Sequence, residues 1–328
     1  MRFAACRGER RPPILTGIAD AAIIHNPLAG SGHRRRSRQL DAARRVLAAA
    51  GIEADIQATA QAGAATTLAR QAVEQGRQLV IVCGGDGTVN EAVNGLAGSQ
   101  VPLALLPAGT ANVLAKELGI PWDIAQAAAL IPRSKLARIA LGVAQPLASG
   151  RAPRYFLCVA GAGPDGVMVY AINPALKQRT GILAYWLEGF RQLFRYRFPM
   201  FRVAAAGREM ECTLVIVGRT RHYGGPFRIT TEADLFKNEF ELLLCTTRSR
   251  LRYLSYLPAL WLGRIRRMPG VHFWKTASLR CEALSGARVY AQVDGESVGR
   301  LPVEFRIVPD ALTLVVPQAA GKKSRVES

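Results

Sequence analysis

Along the first part of this chain, apolar residues fall in short runs separated by stretches of helical period. Residues 21–24, 52–56, 79–83 and 101–106 read as strands, the third being an unbroken Leu-Val-Ile-Val-Cys. Residues 37–50, 64–75 and 88–96 carry helix-compatible patterns, and a further helix opens after 107–112 and ends near Gly119. Strands alternating with helices of about 10–15 residues predict βαβ units and a mostly parallel sheet. From about residue 137 the texture changes. Strand-like runs recur at 155–160, 212–217, 240–245, 289–293, 303–308 and 312–316, with helical insertions at 181–195 and 251–266. Close-spaced strands of this kind predict an antiparallel β-sandwich.

The expected fold class is therefore an α/β N-terminal domain with a mostly parallel sheet, followed by a C-terminal antiparallel β-sandwich. A length of 328 residues suits two cores. The expected segments are a basic extension at 1–18, a first domain at 19–136, a second at 137–318 and a charged tail at 319–328. No internal repeat is visible.

Three glycine-containing turns follow three of the predicted strands: Asn26-Pro27 with Gly30-Ser31-Gly32, then Gly84-Gly85-Asp86-Gly87-Thr88, then Gly109-Thr110-Ala111-Asn112. All three fall at the carboxyl edge of the sheet, where open α/β folds bind ligands. Glycine lets backbone N–H groups approach an anion, and a helix N-terminus adds partial positive charge. The second turn suits a polyphosphate best, with Asn90 and Glu91 one helical turn later and Asp86, a candidate catalytic residue, placed to hold Mg²⁺ beside the phosphates or to act on a hydroxyl near them. The other two turns, taken alone, are ordinary turn and N-cap chemistry. Val293-Asp294-Gly295-Glu296 lies far downstream between two strand runs. Asp-Gly is a common hairpin turn. It also offers two carboxylates, one of which can take a proton from an acceptor hydroxyl.

Composition adds a constraint. The chain has 43 Lys+Arg against 24 Asp+Glu, a formal net charge of +19. Such an excess attracts polyanions: nucleotide phosphates, an anionic membrane surface or nucleic acid. No helix-turn-helix, zinc-finger or RNA-binding signature accompanies it, so nucleic acid is not the expected partner. Six cysteines, at 6, 83, 158, 212, 245 and 281, show no C-x-x-C spacing and signal neither zinc nor a redox motif. The four at 83, 158, 212 and 245 sit in or beside apolar runs, which fits a reducing cytoplasm. No apolar run is long enough to span a membrane. Two basic, aromatic-bearing helices, at 181–195 and within 248–267, could instead lie in a headgroup layer or simply pack on the sandwich with a solvated face.

The order of motifs resembles the diacylglycerol kinase catalytic-domain family, which includes sphingosine and ceramide kinases and soluble bacterial lipid kinases. The resemblance runs from about Ala21 to Pro317. It rests on Asn26–Gly32, Gly84–Glu91, Leu106–Asn112 with Leu118-Gly-Ile-Pro121, Ala160–Asp165, Tyr223-Gly-Gly225 and Asp294-Gly-Glu296. It implies a nucleotide-binding α/β domain over a lipid-binding sandwich, with ATP and lipid meeting in the cleft. Asn26, Ser31, Thr59, Gly84, Gly85, Asp86, Gly87, Thr88, Asn90, Glu91, Gly109, Thr110 and Asn112 are the expected ATP contacts. Asp165 is an expected substrate contact. Glu296, with Asp294 beside it, is the expected proton acceptor. The expected cofactors are ATP and Mg²⁺, and the expected place of work is cytoplasmic, peripheral at the inner membrane face.

The chain departs from the resemblance in two places. Soluble bacterial members carry Asp-Gly-x-Leu-Asp after the Tyr-Gly-Gly segment and hold a structural Mg²⁺ there. Here Lys237 takes the usual Asp position, and an ammonium cannot ligate a cation. Either that metal is lost, with Lys237 replacing its charge, or Asp234 serves instead. Arg219 stands where many members have Asn, a change that could alter substrate contacts. Diacylglycerol or a related lipid leads as acceptor, with sphingoid base, ceramide, phosphatidylglycerol and isoprenoid or polyol lipids left open. An NAD kinase-like enzyme and a catalytically silent lipid- or nucleotide-binding regulator are the alternatives.

Overall fold

Four parallel strands open the fold: β1 (Asp20–His25), β2 (Glu53–Ala58), β3 (Leu79–Gly84) and β4 (Leu103–Pro107), in the spatial order β2-β1-β3-β4. The computed structural model describes residues 15, 17–27, 33–171, 191, 195–224, 227–284 and 286–318. Every residue of β3 and β4 is buried, the pattern of strands covered on both faces. The helices of this half are α1 (His33–Ala49), α2 (Ala64–Glu74), α3 (Asp86–Leu96), α4 (Val113–Leu118) and α5 (Ile124–Leu130). Helix α2 packs on α3, and α1 on α5.

The second half contributes β5 (Lys135–Pro146), β6 (Arg154–Phe156), β7 (Val159–Ala162), β8 (Phe201–Ala205), β9 (Arg208–Cys212), β10 (Leu214–Gly218), β11 (His222–Tyr223) and β12 (Phe227–Arg228). It continues with β13 (Phe240–Cys245), β14 (Val271–Thr276), β15 (Ser278–Ala283), β16 (Tyr290–Val293), β17 (Glu296–Arg300) and β18 (Val303–Val316). Helices α6 (Pro164–Ala171) and α7 (Arg250–Trp261) lie among them. One sheet of the sandwich is antiparallel in the order β14-β13-β10-β7-β16-β17. The opposite sheet holds β5, β6, β8, β9, β15 and β18. Between them lies a core in which the Phe156 and Phe240 rings stack at 5.7 Å and Phe305 meets Phe156 edge-on at 6.3 Å. Burying each of these rings is worth roughly 2–3 kcal/mol.

The two halves share one sheet. Strand β18 pairs with β5 along nearly its whole length and also lies parallel to β4, with Leu314 opposite Leu103. The parallel sheet therefore runs on into the sandwich, and the expected boundary at 136/137 falls inside β5.

Several expected elements shift. The runs at 303–308 and 312–316 are one strand, which continues past Pro309 through a register shift where Asp310 takes a left-handed φ of 47°. The run at 155–160 splits into β6 and β7, because the N–H groups of Leu157, Cys158 and Val159 turn onto the Asp294 carboxylate. The run at 212–217 also divides: Cys212 ends β9, and β10 begins at Leu214. Helix α3 starts at Asp86, two residues earlier than expected, with Gly85 as its extended N-cap. Strands β5, β8, β14, β15 and β17 had no counterpart in the reading above. The expected helix at 181–195 lies almost wholly outside the described residues.

Candidate active site

The carboxyl ends of the parallel strands meet at two glycine turns pressed against each other. A Cβ on Gly85 would lie 3.2 Å from Gly109 Cα, and one on Gly109 would collide with Gly85 Cα. A Cβ on Gly84 would lie 2.6 Å from Thr88 Cβ. Only glycine allows this approach. The Gly109 turn is closed by Asn112, whose Oδ1 accepts from Gly109 N at 3.0 Å while its Nδ2 donates to Gly109 O at 2.9 Å. Asn112 is buried and holds a left-handed φ of 44°. Asp86 ties the two turns together, its Oδ1 accepting from Val113 N at 2.7 Å. Burial pushes the Asp86 carboxyl up to about 6, opposed by the Val113 N–H and reinforced by the charge of Asp294.

Asn26 and Thr59 flank these turns. Asn26 N donates to Cys83 O at 3.1 Å, and its Nδ2 donates to Thr88 Oγ1 at 3.2 Å. Thr59 N donates to His25 O at 2.8 Å, just past the end of β2. Thr110 is exposed on the rim. Ser31 lies outside the described residues.

Glu296 arrives from the sandwich. Its Oε1 lies 3.7 Å from the point a Cβ on Gly87 would occupy, so the Asp-Gly-Glu segment reaches over the Gly84–Thr88 turn. Asp294 and Gly295 both have positive φ, 45° and 82°, between the paired residues Val293 and Glu296. This is the geometry a two-residue hairpin turn requires. The turn swings the Asp294 side chain inward. Oδ1 accepts from Cys158 N and Val159 N at 3.0 and 2.9 Å, and Oδ2 accepts from Leu157 N and Asn90 Nδ2 at 2.8 and 3.0 Å. Burial still raises the Asp294 carboxyl, against those four donors. With both oxygens so engaged, Asp294 braces the cleft, while Glu296 overhangs the turn.

Glu91, Asn90 and Asp165 each hold hydrogen bonds within the fold. Glu91 accepts from Ala65 N at 3.2 Å in the first turn of α2, away from the glycine turns. Asn90 is buried, donates to Tyr155 O and Asp294, and accepts twice from the Arg154 guanidinium at 3.1 and 3.0 Å. Asp165 is buried on α6, accepting from Tyr223 Oη and, at 2.7 Å, from Gln292 Nε2. Burial raises its carboxyl, opposed by Tyr223. Gln292 Oε1 in turn accepts from Gly295 N at 2.8 Å, linking Asp165 to the Asp294–Glu296 turn.

The segment expected to hold a structural metal is engaged in its own turn. Asp234 Oδ1 accepts from Phe236 N at 3.0 Å in its own turn, and Lys237 is exposed. Among the described residues, no cluster of three or more His, Cys, Asp or Glu is placed to hold a metal ion. Arg219 is fully buried, which removes it from any substrate contact.

Four site-bracing groups escaped the sequence reading. Arg36 donates to Ala108 O at 3.2 Å and brings positive charge to the strand ends. Asn94 holds Tyr155 through both its main-chain N and O, at 2.9 Å each. Glu117 on α4 joins His222 Nδ1 at 2.8 Å and Arg221 Nε at 3.0 Å across the two halves. Burial disfavours the charged Glu117, but His222 and Arg221 outweigh it and leave the carboxyl lowered. Arg154 and Asn90 make a second link. In sequence only the helical spacing of Asn90 and Asn94 hinted at a shared partner.

A parallel sheet ends in two touching glycine turns, and a carboxylate from the sandwich overhangs one of them. Residues 20–144 match the diacylglycerol kinase catalytic domain, and residues 158–316 match the YegS C-terminal NAD kinase beta sandwich-like domain. The chain belongs to the diacylglycerol kinase catalytic-domain family. It is 30% identical to a diacylglycerol kinase of Bacillus subtilis (strain 168) over 309 residues, covering 92% of this chain and 98% of the relative. It is 28% identical to one from Staphylococcus saprophyticus over 312 residues, covering 94% and 98%. A crystal structure of a diacylglycerol kinase from Bacillus anthracis str. Sterne matches with TM-score 0.74 at 25% identity, covering 93% of this chain and 99% of that one.

Proposed function

We propose that the protein is an ATP-dependent lipid kinase that transfers the γ-phosphate to a hydroxyl of a membrane lipid, diacylglycerol or a close relative. One observation carries the reading: the Glu296 carboxylate overhangs the glycine turn at Gly87. In this account the N–H groups of 85–88 and the N-terminus of α3 face the ATP phosphates. Glu296 accepts the hydroxyl proton as the lipid oxygen bonds to the γ-phosphorus, and the bond to the β–γ bridging oxygen breaks to release ADP. Asp294, Asn90 and Asp165 fix the turn that carries Glu296 and do not touch the reacting atoms.

Mg²⁺ ordinarily binds through one or two carboxylates together with the phosphates. A single carboxylate at Asp86, beside the phosphate turn, suits a cation carried in mainly by the nucleotide. When bound, it would neutralise charge on the phosphate oxygens. Asp86 itself holds the Gly109 turn against α3.

The membrane-facing surface is assigned to α7. Leu251 is 77% and Trp261 72% exposed, Leu262 is also exposed, and Arg248, Arg250, Arg252, Arg264 and Arg267 lie at the surface around them. Residues 248–267 contain no acid. Apolar and aromatic side chains ringed by arginine fit an anionic bilayer. The Trp261 ring meets Phe227 edge-on at 5.8 Å, and Phe227 pairs with Tyr223, the partner of Asp165. These contacts link the surface to Asp165. No helix among the described residues is long and apolar enough to cross a membrane.

The test offers γ-labelled ATP with vesicles of total bacterial lipid and, separately, with NAD. Label in a lipid supports the reading. Label in NAD would replace it with the NAD kinase-like alternative, and nucleotide binding with no transfer would support the silent regulator.

A further inference from the structure

We propose that the Arg219 guanidinium occupies the place of a structural metal ion in the sandwich, so that residues 231–239 hold their conformation without a divalent cation. Arg219 follows β10 and is 0% exposed. Its Nη1 donates to Lys237 O at 2.7 Å, and its Nη2 donates to Leu235 O and to Ala140 O, both at 2.7 Å. Three carbonyl oxygens, two from the loop and one from β5, thus converge on one buried cation. Carbonyl oxygens only accept, and a converging set of them in the interior requires either donors or a metal ion. The guanidinium supplies donors in a fixed planar fork on a covalent tether.

Of the acidic side chains of the segment, Glu232, Glu239 and Glu241 pair with Lys275 or Arg266, and the Asp234 charge acts on the guanidinium itself. Asp234 closes its own turn on Phe236 N. Glu241 accepts from Glu232 N at 2.7 Å and pairs with Arg266. Glu232 and Glu239 meet Lys275 at 3.2 and 3.9 Å. The Lys237 side chain points outward, so its main-chain oxygen, not its ammonium, takes part. The donor set therefore does not fit the Mg²⁺ that the family resemblance implies. Burial lowers the guanidinium to about 10, which leaves it charged at neutral pH. This inference concerns the loop alone and stands whether or not the lipid-kinase reading holds.

The experiment uses nucleotide-free protein in EDTA and in millimolar MgCl₂, with thermal unfolding and amide hydrogen exchange of residues 231–239 as readouts. The expected result is the same midpoint and the same protection in both buffers. A second arm uses the R219N/K237D double variant, which removes the guanidinium from the cage and places a carboxylate on the same loop. Its midpoint should rise, and its loop protection increase, on adding MgCl₂. Loss of protection at 231–239 of the parental protein in EDTA, recovered with MgCl₂, would overturn the proposal. Because that arm needs no variant, a misfolded double variant leaves the proposal decidable.

Discussion

Asn90 Nδ2 donates to Asp294 Oδ2 at 3.0 Å, joining residues 204 positions apart in the chain. The first belongs to α3, directly behind the Gly84–Thr88 turn, and the second to the hairpin that presents Glu296. This bond and its neighbours set the distance between the nucleotide-facing turn and the proposed base. In the proposed reading Asp294 supports the stability of the cleft and Glu296 its chemistry.

Replacing Asp294 with Ala should therefore act on folding first. It strands the N–H groups of Leu157, Cys158 and Val159, and unpaired buried donors cost roughly 1–3 kcal/mol each before relaxation. A net loss of about 3 kcal/mol in denaturant unfolding is expected. Unchanged stability would remove Asp294 from its bracing role.

Two glycines should behave oppositely. At Gly109 an added Cβ meets the Gly85 backbone, so G109A should lower the unfolding midpoint and weaken ATP binding together. At Gly87 the neighbour of an added Cβ is the Glu296 carboxylate, at ordinary contact distance. G87A should fold with stability within about 1 kcal/mol of the parent while losing turnover. Equal effects on stability at both positions would contradict the arrangement.

Asp86 should shape the pH profile. Its carboxyl lies at about 6 in the folded protein, above the ordinary value, because burial disfavours the anion. A raised carboxyl favours folding at low pH, and that contribution fades as pH rises through about 6. D86N should remove this part of the pH dependence of unfolding between about pH 4 and 6. The turnover of the parent should rise between about pH 5 and 7 as Asp86 ionises. A flat profile from pH 5 to 7 would speak against an ionised Asp86 in the reaction.

The α7 surface yields a fourth expectation. L251D/W261A should reduce sedimentation with anionic vesicles and slow phosphorylation of vesicle-borne lipid. Turnover of a short-chain, water-dispersed diacylglycerol should be retained. Vesicle binding unaffected by the double variant would place the membrane contact elsewhere.

The sequence revealed what short-range physics writes into it. The β3 run and the glycine turns were legible because a buried apolar strand ending in glycine leaves few alternatives. Strand β18 was read as two pieces because Pro309-Asp310 looks like a terminator, whereas the strand passes it in a bulge. Strand β5 opens on Lys135 and Arg138 and is only partly buried at its start, and its apolar run at 139–144 is rich in alanine and glycine rather than β-branched residues. The pairings Asn90–Asp294 and Glu117–His222 were invisible, since no periodicity spans 204 or 105 positions. Glu296 was preferred over Asp294 as base on the resemblance alone; the left-handed turn conformation of Asp294 and its four donors had no signature in the sequence. Arg219 looked like an altered substrate contact, and only its burial among carbonyls showed its structural place.

The most direct test of the account compares parental protein with E296Q on diacylglycerol vesicles and γ-labelled ATP, with unfolding midpoint and ATP affinity measured alongside. Loss of the general base should slow lipid labelling by about 10²–10⁴-fold, with the midpoint and ATP affinity unchanged. Labelling by E296Q at the parental rate, or no labelled lipid from the parental protein, would contradict it.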